Sequence, residues 1–364
     1  MNADPSAFKK NKEFSCPGIL FSMARTPETG RLFYGSSDFK VYEFDTAVEK
    51  PAPVAFQPQE QQQGHQSYVT GVALAAGQLV TGSYDGKLIW WDLEQRHVVR
   101  QLDAHEKWIR NVIASPDGKM VCSVGDDMQC KVWDAATGEV RHVLQGHQAE
   151  TPHHYPSMLY ANAFSPDGKW LATGDKVGHI VVWNLADGKP AGALEAPGMY
   201  TWDPKQRRHS IGGIRSLAFS HDSKFLAAGG IGKIGNIDHL GGPTRVEIFE
   251  WQTGKRVHLL EDDKQKGLVE QMEFHPSGQW LLAAGGDHAG YVKFYNTADG
   301  KIIHQEKTPM HVHGFEFNEA YDTVYGVGHG KVAVWELKAA PAKDEPAKDE
   351  PKPDAAEKPA AKGA

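Results

Sequence analysis

Aromatic residues close a series of short alternating runs at near-regular intervals: Phe44, Trp91, Trp133, Trp183, Trp251, Tyr295 and Trp335. Five of the six gaps between them fall in the range of 40 to 50 residues; the gap from Trp183 to Trp251 is 68. A repeat of this length must be a supersecondary unit that buries its apolar face against its neighbours. Each unit has the same internal order, seen in residues 98–138: VVRQLDAH, WIRNVIAS, the tetrad PDGK, MVCSVGDD, then CKVWDAATG. The runs are four short period-2 segments, which predict strands. Pro, Asp and Gly suit successive positions of a tight turn, so the tetrads predict hairpins. The order returns as FSPDGKWLATGD with HIVVWNLADG, as FSHDSKFLAAGG with VEIFEWQTG, and as FHPSGQWLLAAGGD with VKFYNTADG. The small residues of ATGD and AAGG fit a crowded position where neighbouring units meet. The expected fold class is all-β, with 38 glycines serving turns rather than helices.

The repeated features resemble the WD40-repeat family over roughly residues 15–337. The matching residues are Gly64-His65, Ala104-His105 and Gly146-His147 at strand entries, Asp85 and Asp127 six residues before Trp91 and Trp133, and SPDGK twice. The match is best in the second to fourth units. Later units lack Gly-His and carry Trp-Gln, Tyr-Asn or Trp-Glu where the family has Trp-Asp. The resemblance implies a seven-bladed β-propeller with four antiparallel strands per blade, the first and last blades degenerate. It also implies that an N-terminal strand completes the last blade, with residues 8–14 (FKKNKEF) as candidates. His65, Asp85 and Trp91, His105, Asp127 and Trp133, and His147 and Trp183 are then structural members of hydrogen-bond networks inside blades. No nucleophile accompanies the His-Asp pairs in a catalytic motif, and no catalytic residue is expected.

The division into segments follows: 1–14 as the N-terminal closing segment, 15–338 as the propeller, and 339–364 as a tail. The tail contains PAKDE twice and no aromatic or β-branched residue, so it cannot bury enough apolar area to offset its ordering entropy. It is expected to be disordered, as a spacer or as a docking tether.

In the implied fold, loops entering the first strand and loops joining the second to the third lie on the top face. The bottom turns are almost uniformly short. Three long insertions all belong to the top face of blades four and five: 148–158 (QAETPHHYPSM), 197–213 (PGMYTWDPKQRRHSIGG) and 230–244 (GIGKIGNIDHLGGPT). Long loops on a rigid scaffold carry function. Their candidate partner-binding residues are His153, His154, Tyr155, Tyr200, Trp202, Arg207, Arg208, Asp238 and His239, rich in the types found at binding hot spots. The competing reading is that the loops pack on one another as a structural cap.

The formal charge of −7 gives no basic footprint, so nucleic acid and anionic membranes are not expected as main ligands. Cys16, Cys122 and Cys130 are odd in number and form no CxxC pair, which suggests a reducing compartment. No secretory h-region or membrane-length apolar run is present, and a cytoplasmic location is expected. His153-His154 with His239 do not define a coordination shell. His311 and His313 share one side of an extended segment, where a metal is weighed against a merely polar strand entry; no metal or cofactor is expected. GGIGKIGN lacks the helix of a phosphate cradle. The leading expectation is a non-enzymatic scaffold that is monomeric within a larger assembly and offers the top face of blades four and five to a protein or peptide partner. The alternative is a metal-dependent propeller hydrolase or lyase with its site at the top of the central channel.

Overall fold

The computed structural model describes residues 3–58, 63–205 and 208–338. The expected tail, 339–364, and Arg207 of the candidate set lie outside the described residues. Among the described residues there is no α-helix; two 3-10 turns, Pro5–Ala7 and Pro197–Met199, are the helical elements.

The strands build a β-propeller. Five sheets have four strands each, covering residues 69–103, 109–144, 159–195, 214–266 and 268–308. A sixth sheet has six strands, in the order Val312–Phe317, Thr323–Glu336, Lys9–Arg25, Arg31–Ser36, Val41–Asp45 and Val54–Ala55. Apart from one two-stranded ribbon, the sheets number six among the described residues, so six blade sheets stand where seven were expected, and the expectation of four strands in every one is corrected. The physical cause is the 17-residue strand Lys9–Arg25. Its first part pairs antiparallel with residues 331–336, and its last part pairs with Arg31–Ser36. Between them the register shifts from Ser15 to Ile19, across Pro17 and Gly18, the latter at φ +80°. Pro cannot donate to a ladder and Gly accepts the left-handed backbone, so the chain kinks from one pairing partner to the next without ending the strand. The two chain ends thus share a sheet, which ties residues 9–15 to the last strands and leaves no open edge between first and last units.

The inner strands touch in a closed cycle: Lys9–Arg25, Val69–Ala75, Ile109–Ala114, Leu159–Phe164, Ile214–Phe219, Leu268–Phe274, Val312–Phe317 and back to the first. Each sheet packs its face on the next through a separate apolar layer; one unites Val124, Val132 and Leu171 with Trp183, another Leu226 and Phe249 with Ile180 and Trp251. The small residues do mark the meeting of units. A Cβ on Gly174 would stand 2.8 Å from Ile214 Cγ2 of the following inner strand, so close approach at that point requires glycine.

Candidate functional site

Three units carry the same buried relay. Trp91 Nε1–H donates to Thr81 Oγ1 at 2.8 Å, Thr81 Oγ1 lies 2.8 Å from His65 Nε2, and His65 Nδ1 lies 3.2 Å from Asp85. Trp133, Ser123, His105 and Asp127 repeat it at 2.9, 2.7 and 3.0 Å. Trp183, Thr173, His147 and Asp175 do so at 2.8, 2.8 and 2.9 Å. The polarity is fixed from end to end: the indole donates to the hydroxyl, the hydroxyl to Nε2, and Nδ1–H to the carboxylate. Both imidazole nitrogens are thereby committed and the rings are buried. The hydroxyl members were not singled out in the sequence, nor was Asp175. It sits two residues before the position equivalent to Asp85 and still reaches its histidine.

The three insertions pack on one another. Residues 197–213 form a ribbon, Tyr200–Asp203 paired with His209–Gly212. His153 from the first insertion lies on Trp202, ring centroids 3.7 Å apart, and its Nδ1 is 3.3 Å from Tyr200 Oη. Tyr155 Oη donates to the Asp203 carbonyl at 3.4 Å. The third insertion joins through Ile234 N–H, which donates to Thr201 Oγ1 at 3.1 Å, and through a small core of Ile231, Ile234 and Leu268. His153, Tyr155, Tyr200 and Trp202 are therefore brought together. His154 and Arg208 are exposed, both at positive φ, and His154 pairs with Glu150. Asp238 and His239 are exposed on the far loop, where His239 leans toward His288 with ring centroids 6.4 Å apart.

A second surface went unnoticed in the sequence. Phe39, Tyr68 and Trp108 are 43, 42 and 50% exposed. They belong to one arc with Phe21 and Tyr84: Tyr68 lies 5.8 Å from Phe39, 5.5 Å from Phe21 and 5.8 Å from Tyr84, and Tyr84 stacks on Trp108 at 4.5 Å with planes 5° apart. Arg110 organises its end. It grips Asp126 through two 2.7 Å bonds and donates to Tyr84 Oη at 2.7 Å, with its guanidinium about 5 Å from the Tyr84, Trp108 and Tyr160 rings. Its Nη2 also reaches Met158 Sδ at 3.6 Å, at the end of the first insertion. Arc and insertions are continuous through Arg110. Tyr68 and Trp108 sit at inner-strand entries and Phe39 and Tyr84 in turns between second and third strands, while Phe21 lies within Lys9–Arg25. The connections that hold Phe39, Tyr84 and Trp108 are short, so loop length gave no signal there; Tyr68 ends a longer connection, from Ala55 to Val69. The available signal was an aromatic recurring at equivalent positions, Tyr68 and Trp108.

At the centre of the ring is a cavity of about 560 Å³, lined among others by Tyr84, Arg110, Tyr160, Arg215, Glu270 and His313. Arg215 sits over the Tyr160 ring at 3.6 Å. The lining is mixed in charge rather than a set of converging carboxylates.

Comparison with known proteins agrees with this geometry. Residues 56–92, 96–134, 138–184 and 204–233 match the model of the WD domain, G-beta repeat. Residues 243–320 match that of the anaphase-promoting complex subunit 4 WD40 domain. The chain belongs to the WD40-repeat family. It is 26% identical over 227 residues to the WD repeat-containing protein SL1-17 of Schistosoma mansoni, covering 62% of this chain and 63% of that protein. It is 29% identical over 213 residues to apoptotic protease-activating factor 1 of Rattus norvegicus, covering 58% of this chain and 16% of that one. With the meiotic recombination protein rec14 of Schizosaccharomyces pombe the identity is 24% over 246 residues, 67% of this chain and 70% of the relative. The matches thus span less than two thirds of the first two of these relatives.

The WD40 units that depart from the pattern hold themselves by other means. In the fifth, Glu247 is fully buried between Arg245 at 2.9 Å and Arg256 at 2.6 Å. In the sixth, buried Lys293 donates to Thr244 Oγ1 at 2.6 Å and to Asp262 at 2.7 Å. Glu247–Arg256 joins neighbouring strands of the fifth unit, and Lys293–Asp262 ties the sixth unit to the fifth.

Proposed function

We propose that this WD40 protein is a non-enzymatic interaction scaffold whose top face docks a protein or peptide partner. The observation that carries the reading is the Tyr84–Trp108 stack clamped by Arg110: a half-exposed indole whose ring is already ordered loses little entropy on binding. The insertions of blades four and five extend the same surface through Met158, with Trp202 as a second exposed anchor. We read the six-stranded sheet as two blades sharing Lys9–Arg25, so that the ring presents seven units. The relatives fit the reading in one respect: in apoptotic protease-activating factor 1 the matched segment is a small part of a larger protein, as suits a recognition module.

The test is paired affinity capture from the native host's lysate with three baits: the intact chain, Tyr68→Ala/Trp108→Ala, and a chain with 148–158, 197–213 and 230–244 shortened. Melting first establishes that all three fold. A partner retained by the intact chain and lost from either variant, then reproduced with purified components, supports the reading. Equal retention by all three overturns it.

A further inference from the structure

Three imidazoles meet at the entry of the inner strand Val312–Phe317. His311 and His313 stack at 4.3 Å with planes 18° apart. His329, from Thr323–Glu336, is carried beside them because its N–H donates to the His311 carbonyl at 3.2 Å; its ring centroid is 5.0 Å from His311 and 4.9 Å from His313. One ring nitrogen from each lies within 4.8 Å of the other two. Glu270 arrives from the neighbouring inner strand, with Oε1 3.2 Å from His311 Nε2 and 3.8 Å from His313 Nδ1.

The hydrogen bonding of this cluster is incomplete. His311 Nδ1 lies 3.1 Å from the Asp287 carbonyl, which accepts only, so Nδ1 carries the proton. In the neutral ring Nε2 is then a lone pair, and it faces a carboxylate. Two acceptors in contact need a proton or a metal cation between them. His313 adds a second deficit: its Nε2 is buried without a hydrogen-bond partner among the described residues.

We propose that His311, His313 and His329, with the Glu270 carboxylate, form a binding site for a divalent transition metal of the zinc class at the top rim of the central cavity. Three imidazoles and one carboxylate match zinc, whereas magnesium and calcium prefer all-oxygen shells. Zinc–nitrogen bonds of about 2.0–2.1 Å place tetrahedral ligand nitrogens roughly 3.3 Å apart. The cluster closes to that spacing mainly by movement of His329, which is exposed. The Asp287 carbonyl holds the His311 tautomer, as outer partners of metal-bound histidines do. The site does not depend on the scaffold reading: the aromatic arc and the insertions contribute no donor to it.

The test uses the untagged full chain, stripped with a chelator and titrated with Co²⁺ followed by Zn²⁺ competition. Visible absorption reports coordination, calorimetry reports stoichiometry, and melting reports stabilisation. One equivalent of Co²⁺ is expected, with ligand-field bands of tetrahedral intensity displaced by Zn²⁺. His313→Ala is expected to weaken binding by at least about 100-fold, more than the usual loss from an outer partner. His311→Ala, which also removes the Asp287 contact, is compared at a temperature where its melting curve shows it folded. His329→Ala keeps the test decisive if either buried variant unfolds: it removes an exposed ring, and it should abolish the metal-induced rise in melting temperature while leaving the metal-free melt unchanged. No stoichiometric Co²⁺ or Zn²⁺ uptake by the intact chain, or uptake unchanged in His329→Ala and His313→Ala, overturns the proposal.

Discussion

His153 lies flat against Trp202, with ring planes 20° from parallel. The two belong to different insertions, so the stack couples segments that no strand pairing joins. A double-mutant cycle with His153→Ala and Trp202→Ala should give a coupling of about 1 kcal/mol. Hydrogen exchange of residues 148–158 should rise in Trp202→Ala. Additive effects with unchanged exchange would show that the insertions are ordered independently.

The relay of the third blade makes a prediction with a sign. Burial raises the Asp127 carboxyl, but the His105 hydrogen bond outweighs it and the folded value is depressed. A depressed carboxyl stabilises fully above its unfolded pKa of about 3.9 and loses that contribution as pH falls through the folded value. Asp127→Asn should cost about 1–3 kcal/mol at neutral pH through the unsatisfied imidazole. The gap to the unmodified protein should shrink on acidification. Urea unfolding at neutral and acid pH measures both; a gap constant with pH would contradict the assignment.

Glu273 and Glu316 predict the opposite slope. They stand on neighbouring inner strands; burial raises Glu273 to about 7, while burial and then repulsion by Glu273 raise Glu316 to about 8. Their unfolded pKa is about 4.3, so the folded state holds the extra protons. Stability is therefore full below that value and is lost as pH rises through about 7 and 8. The two carboxyls titrate as a pair. Glu316→Gln should be more stable than the unmodified protein by roughly 1–2 kcal/mol in mild alkali, and indistinguishable from it in mild acid. A variant no more stable in alkali would place the buried charge elsewhere.

The periodic aromatics made the all-β repeat legible, because a Trp at the end of a short strand leaves a trace in the sequence wherever it falls. The Trp-to-Asp relay was half legible: His, Asp and Trp are distinctive, whereas Thr81, Ser123 and Thr173 are common residue types whose role appears only when the chain folds them between Trp and His. The resemblance implied that an N-terminal strand completes the last blade, but its continuity with the first blade's inner strand was not legible, since Pro17-Gly18 reads as a break and the structure uses it as a kink within one strand. Loop length revealed the insertions and hid most of the arc, because Phe39, Tyr84 and Trp108 occupy short connections. His329 had no spacing signal, lying 16 residues from His313 and meeting it only through strand pairing.

Gly82 tests how neighbouring units are fitted together. A Cβ there would come within 2.5 Å of Val112 Cγ2 and 2.9 Å of Ile109 Cγ2, both on the next inner strand. Gly168 provides the contrast: a Cβ meets nothing within 4 Å, but φ is +68°. Gly168→Ala should thus carry a backbone cost of about 1 kcal/mol that no second substitution relieves. Gly82→Ala should cost about 1–3 kcal/mol through overpacking. Val112→Ala removes the obstructing methyls, so the double variant should be more stable than the sum of the singles by about 1 kcal/mol or more. Chemical denaturation of the four chains measures the coupling. Strict additivity would mean that the second and third units adjust by sliding apart, and that the closed ring does not hold their spacing rigid.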